Sequence, residues 1–139
     1  MSEAKQLPNL SGQVVHTEWV SKDVAASRDF FTAVFGTQFQ DMGGPQGEYW
    51  TFGDQDLGIG GAIRPLMEQD QGHTYSAPYI NVANIDDAVA KAEAAGATTI
   101  VPKVPVPGMG WFAWFQAPGE IIVAAWQNAP EAPAPSPPS

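Results

Sequence analysis

The chain reads as one unit written twice. A short apolar run (Val14 to Val20), a helix-like stretch from Asp23 closed by Gly36, and two aromatic or glycine-rich strand signals (Tyr49 to Phe52, Leu57 to Ile63) make the first copy. Tyr79 to Val82, Asn84 to Gly96, Trp111 to Phe115 and Ile121 to Trp126 follow in the same order. Repetition at about half the chain length is too long for a solenoid period and predicts two fused modules that share one core. A cleft is then expected where the halves meet. With 139 residues, 44% hydrophobic and 15% charged, the chain has room for one compact domain.

Local patterns fill in the unit. Val24, Phe30, Phe31, Val34 and Phe35 recur at helical spacing, and Gly36 fits the left-handed residue that closes a helix. Asn84 reads as an N-cap, Asp86 and Asp87 suit a first turn, and Val89, Ala92 and Ala95 supply a buried stripe before Gly96. QVVHTEWVS and PYINV read as strands. YWTF–GDQD–LGIGGAI reads as a hairpin turning at Gly53 to Asp56, and WFAWFQ–APGE–IIVAAW as its counterpart. VPKVPVPGMG carries too many prolines for a central strand and is expected at an edge or in an irregular connection. The unit is β-α-β-β-β, twice. The boundaries are 1–11 as a disordered N-terminal segment, 12–128 as a single domain (module one about 12–67, module two about 75–128), and 129–139 as a disordered Pro/Ala-rich tail.

Composition limits the partners. Fifteen acidic against six scattered basic residues give a formal net charge of −9, which disfavours nucleic acid, because phosphates need a concentrated basic face. The absence of cysteine removes disulfides and thiolate chemistry and fits a reducing compartment. No run of ~18 apolar residues and no secretory h-region are present, so a cytoplasmic protein without a membrane segment is expected. Gly58, Gly60 and Gly61 match no nucleotide fingerprint and read as relief of crowding in a curved strand.

The doubled unit, its first-strand His16, and the stretches GDQDLGIGGAIRP and VPGMGWFAWFQAPGEIIVAAWQ resemble the vicinal oxygen chelate superfamily, the glyoxalase, bleomycin-resistance and extradiol-dioxygenase group. They resemble especially its small glyoxalase-like bacterial proteins. The resemblance covers about residues 12 to 128. It implies an α+β fold of two βαβββ modules forming one curved, mixed-sheet open barrel with a central cavity for a small ligand, and a homodimer. It also implies that metal-dependent members hold the ion by a His on the first strand of each module and by carboxylates or a further His on the last strands.

Against that pattern the ligands are missing. The second-module equivalent of His16 is Ala77, Leu57 to Met67 offers no Asp, Glu or His, Glu120 lies in a turn, and the strand position that matters is about Ala124. One ligand cannot hold a divalent ion, so neither a metal nor another cofactor is expected. The two exceptions are His73 folding back, or His16 and Glu18 sharing an ion with another subunit.

Strand alternation puts His16 and Glu18 on one face with Val14 and Val20, as a general acid/base couple or as a satisfied polar pair. Tyr79 and Asn81 share the matching face of module two with Ala77. A four-residue APGE loop pairs Trp111 with Trp126 and turns both inward; a one-residue slip turns Trp114 inward instead. Five tryptophans favour a pocket for a flat, apolar or aromatic ligand, with a cationic one as an alternative. The leading expectation is a metal-free protein that sequesters or carries a hydrophobic or aromatic compound through His16, Glu18, Tyr79, Asn81, Trp111 and Trp126. The alternatives are an enzyme (lyase, isomerase or dioxygenase) with an unorthodox metal site or a His16/Glu18 couple, and a protein whose cavity its own side chains fill.

Overall fold

A computed structural model describes residues 12–43 and 48–133. The segment read as disordered at 1–11 and the end of the tail lie outside the described residues.

Among the described residues, eight strands form one open mixed sheet. Module one contributes β1 (Val14–Ser21), helix α1 (Val24–Phe35), β2 (Gln40–Asp41), β3 (Trp50–Phe52), the one-turn helix α2 (Asp54–Leu57) and β4 (Gly60–Pro65). A 3-10 turn (Glu68–Asp70) leads to module two: β5 (Tyr75–Asn81), helix α3 (Ile85–Ala94), β6 (Thr98–Val106), β7 (Gly110–Ala117) and β8 (Ile121–Asn128). The strand order is β2-β3-β4-β1-β5-β8-β7-β6, so each module fans outward identically from the central antiparallel β1/β5 pair. Within each module the first and last strands run parallel, β1 with β4 and β5 with β8.

The helices start where the sequence marks them. The Asp23 side chain accepts from the Ala26 N–H at 3.0 Å and the Asn84 side chain from the Asp87 N–H at 2.9 Å, each cap contributing about 1 kcal/mol. Gly36 closes α1 with a left-handed φ of 74°. Their packing differs from the expected stripes. On α1 only Val24 is buried, and Phe30, Val34 and Phe35 are more than half exposed. On α3, Ile85 is buried and Ala88, Val89 and Ala92 pack on Ala113, Phe115 and Ala125, whereas Ala95 is exposed.

Three connections depart from the sequence reading. The turn expected at Gly53 to Asp56 is instead the helical turn α2, closed by Gly58. A bulge between Val14 and His16 pairs Val14 with Ile80, so the alternation of β1 begins only at His16. Ala129 and Ala132, assigned by composition to the tail, are buried, and the Gly108 N–H donates to the Ala132 carbonyl. The proline-rich segment meets its expectation: β6 is the edge strand, with register breaks between Thr99 and Val104. Gly61 is required because a Cβ there would run into the Thr17 carbonyl and the Phe52 ring.

Candidate functional site

Cross-strand partners share a face, so the pairings define the helix-free surface of the sheet. At its centre His16 pairs with Tyr79 and Glu18 with Ala77. Glu18 also pairs with Ala62 on β4, and Tyr79 with Ala124 on β8. The next positions outward are Arg64 on β4, Trp126 on β8, and Trp114 and Phe112 on β7.

His16 and Ala77 each stand seven residues before their helix N-cap, so they are equivalent by the internal two-fold repeat. Ala62 and Ala124 are likewise the equivalent positions on the last strands. The site where a metal's ligands would converge therefore holds one imidazole and three alanines, each at most 1% exposed. Among the described residues no group of three or more His, Cys, Asp or Glu is close enough to hold an ion. His73 is exposed in the loop before β5. These residues do not fit a divalent cation, which needs several converging donors.

Small side chains at those positions leave room for large neighbours, and a buried polar network fills it. Glu18 Oε1 accepts from the Tyr79 hydroxyl at 2.9 Å and lies 3.4 Å from Arg64 Nε. The Tyr79 oxygen in turn accepts from Trp114 Nε1 at 2.8 Å. Arg64 donates to both carboxylate oxygens of Asp70, at 2.7 and 3.2 Å, and to the Pro65 carbonyl at 3.0 Å. Asp70 also accepts from the Met67 N–H at 2.7 Å and from the Tyr75 hydroxyl. The guanidinium lies over Trp114, 5.2 Å from its ring centre. Ala77, Ala124, Tyr79 and Trp114 form one cluster beneath Tyr75, Ile100, Phe112 and Trp126.

Electrostatics follow from burial and pairing. Burial holds the His16 imidazole below its usual pKa despite the nearby Glu18 carboxylate, so it is neutral at pH 7; its ring meets Tyr79 edge-on at 4.9 Å. Burial and the nearby Glu18 charge push the phenols of Tyr79 and Tyr49 well up. Burial opposes the charge on Arg64, and its bonds to Asp70 and attraction to Glu18 more than offset this. Burial likewise acts against ionised Asp70, but hydrogen bonds from Arg64, Tyr75 and the Met67 N–H hold its pKa below the ordinary carboxylate value. Removing one partner of such a buried pair costs about 3–5 kcal/mol.

Of the expected site residues, the fold brings His16, Glu18, Tyr79, Asn81 and Trp126 onto one face. Trp111 is the exception. The β7–β8 loop has three residues rather than four, since Ala117 pairs with Ile121 and Trp111 with Gln127. That single step reverses every side chain of β7: Trp111 packs under α3 beside Lys103, and Trp114 turns inward. Sequence reasoning missed Tyr49, Arg64, Asp70 and Tyr75. The available signal was Arg64 itself, a cation inside the apolar run GGAIRP, which must find a carboxylate if buried.

Asn81 and Trp126 are directly paired across β5 and β8, and Phe112 pairs with Trp126 across β7 and β8. His16, Asn81, Phe112 and Trp126 are half-buried, and the Asn81 Oδ1 atom is buried without a hydrogen-bond partner among the described residues. An unpaired buried acceptor is costly and is relieved by any donor brought to it.

The fold has many relatives. It is similar to methylmalonyl-CoA epimerase from Mycobacterium tuberculosis (TM-score 0.63, 10% identity, 91% of this chain and 96% of that one). It is also similar to the Mn(II)-bound glyoxalase from Novosphingobium aromaticivorans (TM-score 0.61, 17% identity, 94% and 44%). A third is homoprotocatechuate 2,3-dioxygenase from Brevibacterium fuscum (TM-score 0.61, 16% identity, 88% and 39%). At these identities the likeness is one of fold. No curated protein sequence matches the chain. The model of the Glyoxalase/Bleomycin resistance protein/Dioxygenase superfamily matches residues 13–124, through both modules and the central strand pair, and the chain belongs to that superfamily.

Proposed function

We propose that this protein binds a small hydrophobic or aromatic compound on the helix-free face of its sheet, without a catalytic metal, and holds it rather than transforming it. The observation that carries this reading is the replacement of three of the four converging ligand positions by Ala62, Ala77 and Ala124. The wall beside them supports it: Phe112 and Trp126 offer aromatic surface, and the half-buried Asn81 amide paired with Trp126 offers a polar contact to the ligand. Neutral His16 adds a second polar contact without adding charge. The same reading takes the protein to be cytoplasmic and homodimeric. An acid/base role for His16 and Glu18 is less well supported, because the Glu18 carboxylate is engaged by Tyr79 and Arg64.

The test is a calorimetric titration with 2-naphthol, alongside elemental analysis of protein expressed with added zinc, manganese, iron and nickel. Saturable binding that weakens at least tenfold in Trp126→Ala and in Asn81→Leu is expected, with metal far below one per chain. Stoichiometric metal, or 2-naphthol binding indifferent to both substitutions, would overturn the proposal.

A further inference from the structure

A cavity lies on the other side of the sheet. It opens between the N-terminal half of α1 and the end of β1, with a volume of about 320 Å³, and is separate from the face described above. Trp19, Phe31 and Ile63 form its apolar walls. Trp19 and Phe31 stack there with ring centres 4.3 Å apart and 16° between planes. Its rim is polar: Ser21, Lys22, Ser27 and Thr74. In module two, α3 packs on the sheet through Ala88, Val89 and Ala92.

The Asp23 N–H donates to Ser21 Oγ at 2.9 Å, and Ser21 Oγ lies 2.7 Å from Ser27 Oγ. Each hydroxyl has one hydrogen and either can donate in this contact, so one hydrogen of the pair is left to donate to a ligand. The adjacent Asp23 carboxylate is engaged in capping α1. Lys22 therefore supplies a cation beside a hydroxyl donor, above an aromatic floor.

We infer that this cavity binds a small aromatic monocarboxylate, its ring against Trp19, Phe31 and Ile63 and its carboxylate at Lys22, Ser27 and Thr74. The volume is at the lower end of the range for ligand sites and suits a single ring. The two ends of the cavity match the two ends of such a molecule, and the charge of Lys22 selects the acid over its neutral amide.

Calorimetry on the full chain at low ionic strength, with benzoate and benzamide as probes, tests this. Lys22→Gln is expected to weaken benzoate about fivefold, the scale of an exposed ion pair, and to leave benzamide unchanged. Ser27→Leu, which fills the cavity, is expected to abolish binding of both while the circular dichroism spectrum is retained. Phe112→Ala, on the opposite face, is expected to leave benzoate binding unaltered. No saturable benzoate binding, equal affinity in Lys22→Gln, or loss in Phe112→Ala would each overturn the inference. The 2-naphthol titration reports on the other face, so the two readings fail separately.

Discussion

The two modules share one topology and divide the chemistry between them. Module one brings the charges, Glu18 and Arg64, and the connecting turn adds Asp70; module two brings the rings, Tyr79, Trp114, Phe112 and Trp126. Their helices diverge in the same way. α1 rests on large aromatics and leaves cavities at its flanks, while α3 lies close through small side chains. The repeat therefore fixes which positions face each other, and departures from it decide what those positions do. His16 opposite Tyr79, with Glu18 opposite Ala77, is the clearest instance: two-fold-related sites that carry four different residues.

The largest effect is expected where the two halves are joined by buried charge. Arg64→Ala leaves Glu18 and Asp70 buried without their cation and is expected to cost about 3–5 kcal/mol, seen as a large fall in the denaturation midpoint. A change under 1 kcal/mol would mean that the network does not hold the modules together. Tyr79→Phe should cost less, about 1–3 kcal/mol, because it removes the bond to Glu18 and strands the Trp114 N–H. Urea denaturation measures both.

The helices sharpen the comparison. Ala92→Phe on α3 should destabilise by about 1–3 kcal/mol through overpacking, whereas Phe30→Gln on α1, at a position 53% exposed, should stay within about 0.5 kcal/mol. Equal effects on the two helices would contradict the packing contrast.

Acid should act on the module junction. The folded-state pKa of Asp70 is depressed, so its contribution is present above the unfolded carboxylate value near 3.8 and is lost as pH falls through the lower folded value. Asp70→Asn is expected to lower stability at pH 7 and to flatten the acid limb below about pH 4. An unchanged limb would remove Asp70 from the account. The smallest predicted signal is spectroscopic: the His16 imidazole should titrate below 6.5 in an NMR pH series, against the usual value for an exposed ring.

Much of this was readable before any coordinates. The doubled pattern gave the repeated β-α-β-β-β unit, the caps at Asp23, Gly36 and Asn84 gave the helix ends, and counting back seven residues from Asn84 identified Ala77 as the equivalent of His16. What was not readable depended on single steps of register and on distance. Loop length across Pro118 to Glu120 decides whether Trp111 or Trp114 turns inward, and no local propensity distinguishes three residues from four. The pairing of Arg64 with Asp70 depends on a 3-10 turn between modules, which carries no strong pattern. Exposure of Phe30, Val34 and Phe35 was hidden because helical periodicity reports a common face but not what covers it.

The central claim is that the converging positions at the centre of the sheet have exchanged metal ligation for a self-satisfied polar network. Anomalous X-ray diffraction from crystals grown in zinc tests it directly. The expected result is Glu18 bonded to Tyr79 and Arg64, with no anomalous peak within bonding distance of His16. A fully occupied zinc ion coordinated by His16 and Glu18 would contradict it.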